Sequence, residues 1–153
     1  ICAKAGANVR LVGRSIEKAE KTAAICNDRY QSKNVVAGAD ANKQDYLNKA
    51  DIVLNTGAAG IQLMSDENIQ MSSNLKICAD TNAVPPSGIA GVDVMDSGKI
   101  MEKSPNKCRG IGALAIGNVK YKSQHECLKL MYTSDDPVYL DFEDAFKFAQ
   151  KSV

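Results

Sequence analysis

No apolar run in these 153 residues approaches the roughly 18 that a membrane-spanning helix needs, and no charged-then-apolar leader with a cleavage site is recognisable. Charge of one sign is lacking too. Nineteen Lys and Arg against 18 Asp and Glu leave a net charge of +1, which gives no electrostatic case for nucleic acid or an anionic membrane. The five cysteines (Cys2, Cys26, Cys78, Cys108, Cys127) are odd in number and scattered, with no C-x-x-C pair. That excludes a disulfide frame and a zinc site and points to buried, reduced thiols in a cytoplasmic protein. Histidine is nearly absent. The single His125 falls in a helical pattern with no carboxylate–hydroxyl constellation nearby in sequence, so it reads as a surface or packing residue. No Ser-His-Asp order, H-E-x-x-H or P-loop string occurs. Internal repeats and low-complexity linkers are missing as well.

What is present is enough apolar material, 44% of residues, for a globular domain with a real core. Residues 1–6 read as the end of a helix with Gly6 as its C-cap. A helix tail of this kind implies that a first strand and a glycine-rich turn lie upstream. Asn8 to Gly13 is a short apolar strand. Ser15 is a plausible N-cap, and Ile16, Ala19, Ala23, Cys26 and Tyr30 recur at helical spacing, predicting a helix from Ile16 to about Tyr30. Val35, Val36 and Ala37 form a brief strand, and Ala41 to Lys49 a polar helix. The run Asp51-Ile-Val-Leu-Asn-Thr56 reads as a strand covered on both faces. Ser65 opens a short helix with acids in its first turn, and Leu75 to Asp80 is the next buried strand. Between 83 and 112 the Pro- and Gly-rich sequence predicts turns, with a strand near Val92-Asp-Val94. A long helix from Ala113 to about Tyr132 follows, and Asp141 caps a last one with Asp144 at its third position.

Strands alternating with helices at this pitch predict an α/β fold. The expected architecture is a Rossmann-like parallel sheet with helices on both faces, lacking its first strand in this chain, and residues 1–153 read as one NAD(P)-binding domain. Ligands in such sheets lie outside the carboxyl ends of the strands. Three strand ends are chemically distinctive. Gly13-Arg14-Ser15, with Lys18 one helical turn on, puts a guanidinium, a hydroxyl and an ammonium at the second-strand tip. There an acid would read the ribose 2′-hydroxyl of NAD, and arginine accommodates the 2′-phosphate of NADP. Asn55-Thr56-Gly57-Ala58-Ala59-Gly60 offers small residues that allow close approach of backbone to a cofactor. Asp80-Thr81-Asn82 ends the next strand; a charge there must be partnered or wet, and Asp80 reads first as a loop-holding residue and second as a ligand-facing one.

These stretches carry a family resemblance. Val9 to Lys18, Asn55-Thr-Gly-Ala-Ala-Gly60, Ala79-Asp-Thr-Asn-Ala-Val-Pro-Pro-Ser-Gly-Ile-Ala-Gly-Val-Asp93 and Gly110-Ile-Gly-Ala-Leu-Ala-Ile-Gly117 together resemble the carboxyl-terminal, cofactor-binding part of the NAD(P)-dependent methylene-tetrahydromethanopterin dehydrogenases. The resemblance implies hydride transfer from a reduced pterin in one-carbon metabolism of methylotrophs with either NAD or NADP as cofactor, and Arg14 favours NADP, with NAD also possible. It further implies a homo-oligomer and a pterin held largely by an amino-terminal domain outside this chain; no metal is expected. The expected cofactor contacts are Arg14, Ser15, Lys18, Thr56, Gly57, Ala58, Asn82 and Gly112. Shikimate-type and methylene-tetrahydrofolate dehydrogenases share the Arg-tipped strand, and a non-catalytic NADP sensor would share the fold.

Overall fold

The computed structural model describes residues 1–151, and the chain divides into two compact units, Ile1–Ala50 and Asp51 onward. The architecture is α/β with predominantly parallel strand pairing, as the alternation of elements predicts.

In the first unit, residues 1–7 make one helical turn closed by Ala5 N–H to Ile1 O (2.9 Å) and Ala7 N–H to Cys2 O (3.1 Å). Gly6 sits at φ +87°, the left-handed conformation expected of a C-cap. Strand β1 (Val9–Gly13) then pairs in parallel with β2 (Val35–Ala39), joined by helix α1 (Ile16–Tyr30). Helix α1 forms where the periodicity puts it. It buries the small Ala19 and Ala23, which let the helix lie close to the strands it connects. Its far end is stapled to β2 by Asn27, whose Nδ2 donates to Val35 O (2.7 Å) and whose Oδ1 accepts Val35 N–H (3.0 Å). Those two bonds fix where the returning strand begins. The polar helix expected over 41–49 is shorter: a 3-10 turn, Asp40–Asn42, leads into α2 (Lys43–Leu47), which buries only Leu47.

In the second unit, β3 (Ile52–Asn55), β4 (Ile77–Asp80), β5 (Ser97–Ile100) and β6 (Arg109–Ile111) form one sheet in the order β3-β4-β6-β5. The first three are parallel; β5 runs antiparallel to β6 and carries an irregularity between Ser97 and Lys99. Helix α3 (Asp66–Gln70) begins with a capping box in which Ser65 and Asn68 exchange bonds. Helices α4 (Ala113–Thr133) and α5 (Phe142–Lys151) close the chain. The core rests on fully buried Ile69, Leu75, Ile89, Cys78 and Cys108. Each large aliphatic side chain contributes roughly 1.5–3 kcal/mol by leaving water.

Two expectations are corrected. No strand forms at Val92–Val94. Asp93 and Asp96 instead close a turn, with Asp93 N–H donating to Asp96 Oδ2 (2.8 Å) and Met95 N–H to Asp93 Oδ1 (2.9 Å). Local carboxylate bonds of this type offer the backbone an alternative to a sheet ladder. The strands of that region lie later, at β5 and β6. Strand β3 is not covered on both faces either: Ile52 is 53% and Leu54 56% exposed, while Asn55 is buried.

Candidate functional site: the carboxyl ends of the strands

At the tip of β1, Ser15 is the N-cap of α1 and its Oγ accepts Lys18 N–H (3.3 Å). The same hydroxyl donates its proton to Glu17 Oε2 (2.6 Å). Glu17 is exposed, and its carboxyl lies below the usual carboxylate range because of that Ser15 bond first and its own backbone N–H second. Arg14 and Lys18 are both exposed, and neither cation has an ion-pair or hydrogen-bond partner for its charged group among the described residues. Two uncompensated cations therefore flank one helix start, with a carboxylate between them that bonds a hydroxyl and neither cation. Sequence reasoning reached Arg14, Ser15 and Lys18 but missed Glu17. Its signal was the Ser-x-Glu spacing at a helix start, which puts a carboxylate within reach of the capping hydroxyl.

Lower on the same strand, the Arg10 guanidinium stacks over Tyr46 (4.5 Å to the ring centroid) and donates to Ala37 O (3.1 Å). Gly38 is the residue that leaves room for this stack, since a Cβ there would lie 2.6 Å from the Tyr46 ring.

In the second unit, the ends of β3 and β4 are tied into one network. Asp80 is 1% exposed; its Oδ1 accepts from Asn55 Nδ2 (2.7 Å) and Asn82 N–H (3.0 Å), and its Oδ2 from Ile89 N–H (2.9 Å). Three donors satisfy a charge that burial alone would penalise. Asn55 passes the constraint on. With its amide nitrogen committed to Asp80, its Oδ1 faces the turn and accepts Gly57 N–H (3.0 Å). Asn82 joins the two loops: its Oδ1 accepts from Gly60 N–H (3.3 Å) and Val84 N–H (2.9 Å), and its Nδ2 donates to Pro86 O (2.9 Å) beside the cis Pro85–Pro86 peptide.

Glycine is required where these backbones meet. A Cβ on Gly88 would fall 1.7 Å from Asn55 Nδ2, and one on Gly57 would fall 2.5 Å from Leu63 Cδ1. The result is a stiff platform on which Thr56, Gly57, Ala58 and Ala59 stay exposed above a buried polar girder.

Gly112 follows β6 and caps α4. Its N–H donates to Asp96 O (2.8 Å), and a Cβ there would strike Asp93 O at 2.0 Å. The eight expected cofactor contacts thus fall in two groups. Arg14, Ser15 and Lys18 belong to the first unit; Thr56, Gly57, Ala58, Asn82 and Gly112 belong to the second. Of the second group, the structure links Gly57 and Asn82 to the Asp80 network, Asn82 as an interior staple with its amide engaged on loop backbone. Asp80 takes the loop-holding role. Asn55, the pivot of the network, was legible only as part of its strand-end string.

His125 is exposed on α4, its ring near that of Tyr121 (6.4 Å between centroids) and its Nδ1 3.6 Å from Glu126 Oε1. It borders a cavity of about 500 Å³ with Phe148 and Lys151 of α5. No helix among the described residues is long and apolar enough to cross a membrane.

No family model matches the chain. Among curated proteins it is similar to an NAD(P)-dependent methylenetetrahydromethanopterin dehydrogenase of Methylorubrum extorquens, 41% identical over 103 residues. That match takes in 67% of this chain and 34% of the relative. The chain is also similar to the bifunctional protein MdtA of the same organism, 36% identical over 149 residues, covering 95% of the chain and 50% of that relative. The chain thus spans between a third and a half of the length of the relatives it matches. The expected resemblance to a methylenetetrahydromethanopterin dehydrogenase, over a fragment of its length, is thus found in the first of these relatives.

Proposed function

We propose that this chain is the nicotinamide-cofactor-binding part of a dehydrogenase that removes hydride from methylene-tetrahydromethanopterin and releases the methenyl form. The observation that carries the reading is the pair of exposed cations, Arg14 and Lys18, whose charged groups have no partners among the described residues, beside a capping hydroxyl at the end of β1. Lys18 in the first helical turn opposes the helix dipole and Arg14 stands just before the cap, so their placement there asks for an anion. A dinucleotide 2′-phosphate fits that donor set, with Arg14 as a planar fork and Lys18 as a point charge. The similarity to an NAD(P)-dependent relative supports a nicotinamide coenzyme. When bound, that coenzyme supplies the hydride acceptor, carbon 4 of its nicotinamide ring.

The chain's own residues then hold and shape. Thr56, Gly57 and Ala58 form an exposed turn of small residues along which a coenzyme backbone lies close. Asp80, Asn55 and Asn82 fix that turn through the hydrogen bonds described above, and Gly112 keeps the start of α4 free of a side chain. The C–H bond of the methylene bridge breaks with its electron pair leaving as hydride. The adjacent nitrogen lone pairs stabilise the remaining cation, so no protein base has to take a proton. Rate enhancement rests on orientation. This accords with an exposed His125 and with an Asp80 whose carboxylate oxygens both accept hydrogen bonds.

Steady-state assays of the full-length protein test the reading, with methylene-tetrahydromethanopterin, methylene-tetrahydrofolate and shikimate each offered with NADP and NAD. Turnover of the tetrahydromethanopterin substrate is expected. Turnover confined to folate or shikimate would overturn the substrate assignment. Tight NADP binding with no turnover of any of the three would make the protein a sensor.

A further inference from the structure

The Ser15 hydroxyl has a single proton, and it is already spent. It goes to Glu17 Oε2 at 2.6 Å, while the lone pairs of the same oxygen take Lys18 N–H at 3.3 Å. A phosphate oxygen bound at this helix start would want that proton, because phosphate oxygens only accept. It would also meet the Glu17 carboxylate as a like charge. An unphosphorylated ribose meets neither difficulty: its 2′-hydroxyl donates, and an ionised carboxylate beside it is a ready acceptor. Arg14 and Lys18 do not cancel Glu17, since neither pairs with it. The five residues from Arg14 to Lys18 thus hold two devices side by side, a cationic one for a phosphorylated ribose and an anionic one for a plain ribose.

We propose that Glu17 is the specificity-determining residue of this rim: by holding the Ser15 hydroxyl and opposing a second anion, it weakens NADP and supports NAD, so that both coenzymes are accepted. The inference rests on the cofactor reading given above. Glu17 is a discriminator here, acting on the ribose end of the coenzyme, well removed from the hydride-carrying ring by the chemistry of the dinucleotide itself.

The test is coenzyme titration of the intact protein, following NADP and NAD separately by calorimetry at one fixed ionic strength. Glu17→Gln removes the charge and keeps an acceptor for Ser15; Glu17→Ala removes both. NADP is expected to bind about threefold to tenfold tighter in Glu17→Gln and tighter again in Glu17→Ala, while NAD weakens by up to a similar factor. In a Ser15→Ala background the step from Gln to Ala should vanish, since no hydroxyl remains to be freed. An unchanged circular dichroism spectrum, with a melting temperature lowered only by the small helix-dipole contribution of a first-turn carboxylate, confirms that α1 is intact. A parent protein that binds neither coenzyme would sink the cofactor reading and this inference together. A parent that binds NADP, with variants whose NADP-to-NAD affinity ratio stays within twofold of it, would sink this inference alone.

Discussion

Asn55 and Asp80 end neighbouring parallel strands, and the amide of the first donates to the carboxylate of the second at 2.7 Å in the interior of the second unit. The bond does more than pair two side chains. A carboxylate accepts only, so it dictates which end of the Asn55 amide faces it. The oxygen is thereby turned toward Gly57 N–H. A charge on one strand thus sets the conformation of the turn that follows the other.

Asp80→Ala should therefore cost more than a typical interior substitution. It strands the Asn55 amide, Asn82 N–H and Ile89 N–H without their acceptor. A loss of about 3–5 kcal/mol in denaturant unfolding is expected, from roughly 1–3 kcal/mol for each buried donor left unsatisfied, moderated by relaxation. Limited proteolysis should cut first within 81–89. A loss below about 1 kcal/mol would mean that water replaces the carboxylate freely.

Arg14→Ala should weaken NADP by about tenfold to a hundredfold and leave NAD within about twofold, the scale of one hydrogen-bonded charge contact. Titration of both coenzymes checks it. Equal weakening of the two would make Arg14 a structural residue.

Two glycines should respond to alanine with opposite signs. At Gly88 an added Cβ would lie 1.7 Å from Asn55 Nδ2, so Gly88→Ala should destabilise by about 2 kcal/mol or more and loosen the 55–60 turn. At Gly117, inside α4, an added Cβ meets nothing within 4 Å. Gly117→Ala should stabilise by about 0.5–1 kcal/mol through helix propensity. Chemical denaturation of both variants decides the matter, and a Gly117→Ala loss would contradict the geometry.

The thiols of Cys78 and Cys108 are fully buried with their sulfurs 3.5 Å apart. Burial pushes the Cys78 thiol far above its ordinary range, and the neighbouring Cys108 pushes it further; burial raises Cys108 as well. A raised folded-state value means that the folded protein keeps these protons after the unfolded chain has begun to lose them. Their contribution is whole below the ordinary thiol value near 8.5 and declines as pH climbs beyond it, by up to about 1.4 kcal/mol per pH unit for a fully shifted thiol. Thiol-reagent kinetics at pH 8 should show Cys2, Cys26 and Cys127 reacting in the folded state, and Cys78 and Cys108 only on unfolding. Five equally fast thiols would refute this.

Much of the fold was legible along the chain because its signals are local. The α1 boundaries, Ile16 and Tyr30, follow from a capping serine and an apolar period that ends at the same residue. The capping of α3 by Ser65 and the left-handed Gly6 were equally readable. Where local signals misled, a competing local bond was responsible: the valines at 92 and 94 favour a strand, yet Asp93 and Asp96 fold that stretch into a turn. At the rim, cations were visible as residue types, but whether Ser15 gives its proton to a ligand or to Glu17 depended on a rotamer.

By itself, then, the amino-acid order determined the succession of strands and helices, the α/β class, and the likeness to pterin-linked dehydrogenases, since caps, periods and residue strings are properties of contiguous chain. The tertiary structure alone decided that Asn55 meets Asp80 and that Cys78 meets Cys108, partners 25 and 30 residues apart. It also decided that β5 turns antiparallel on β6. Such pairings follow from which backbones lie side by side, and strand register, unlike helical period, is written in no single segment.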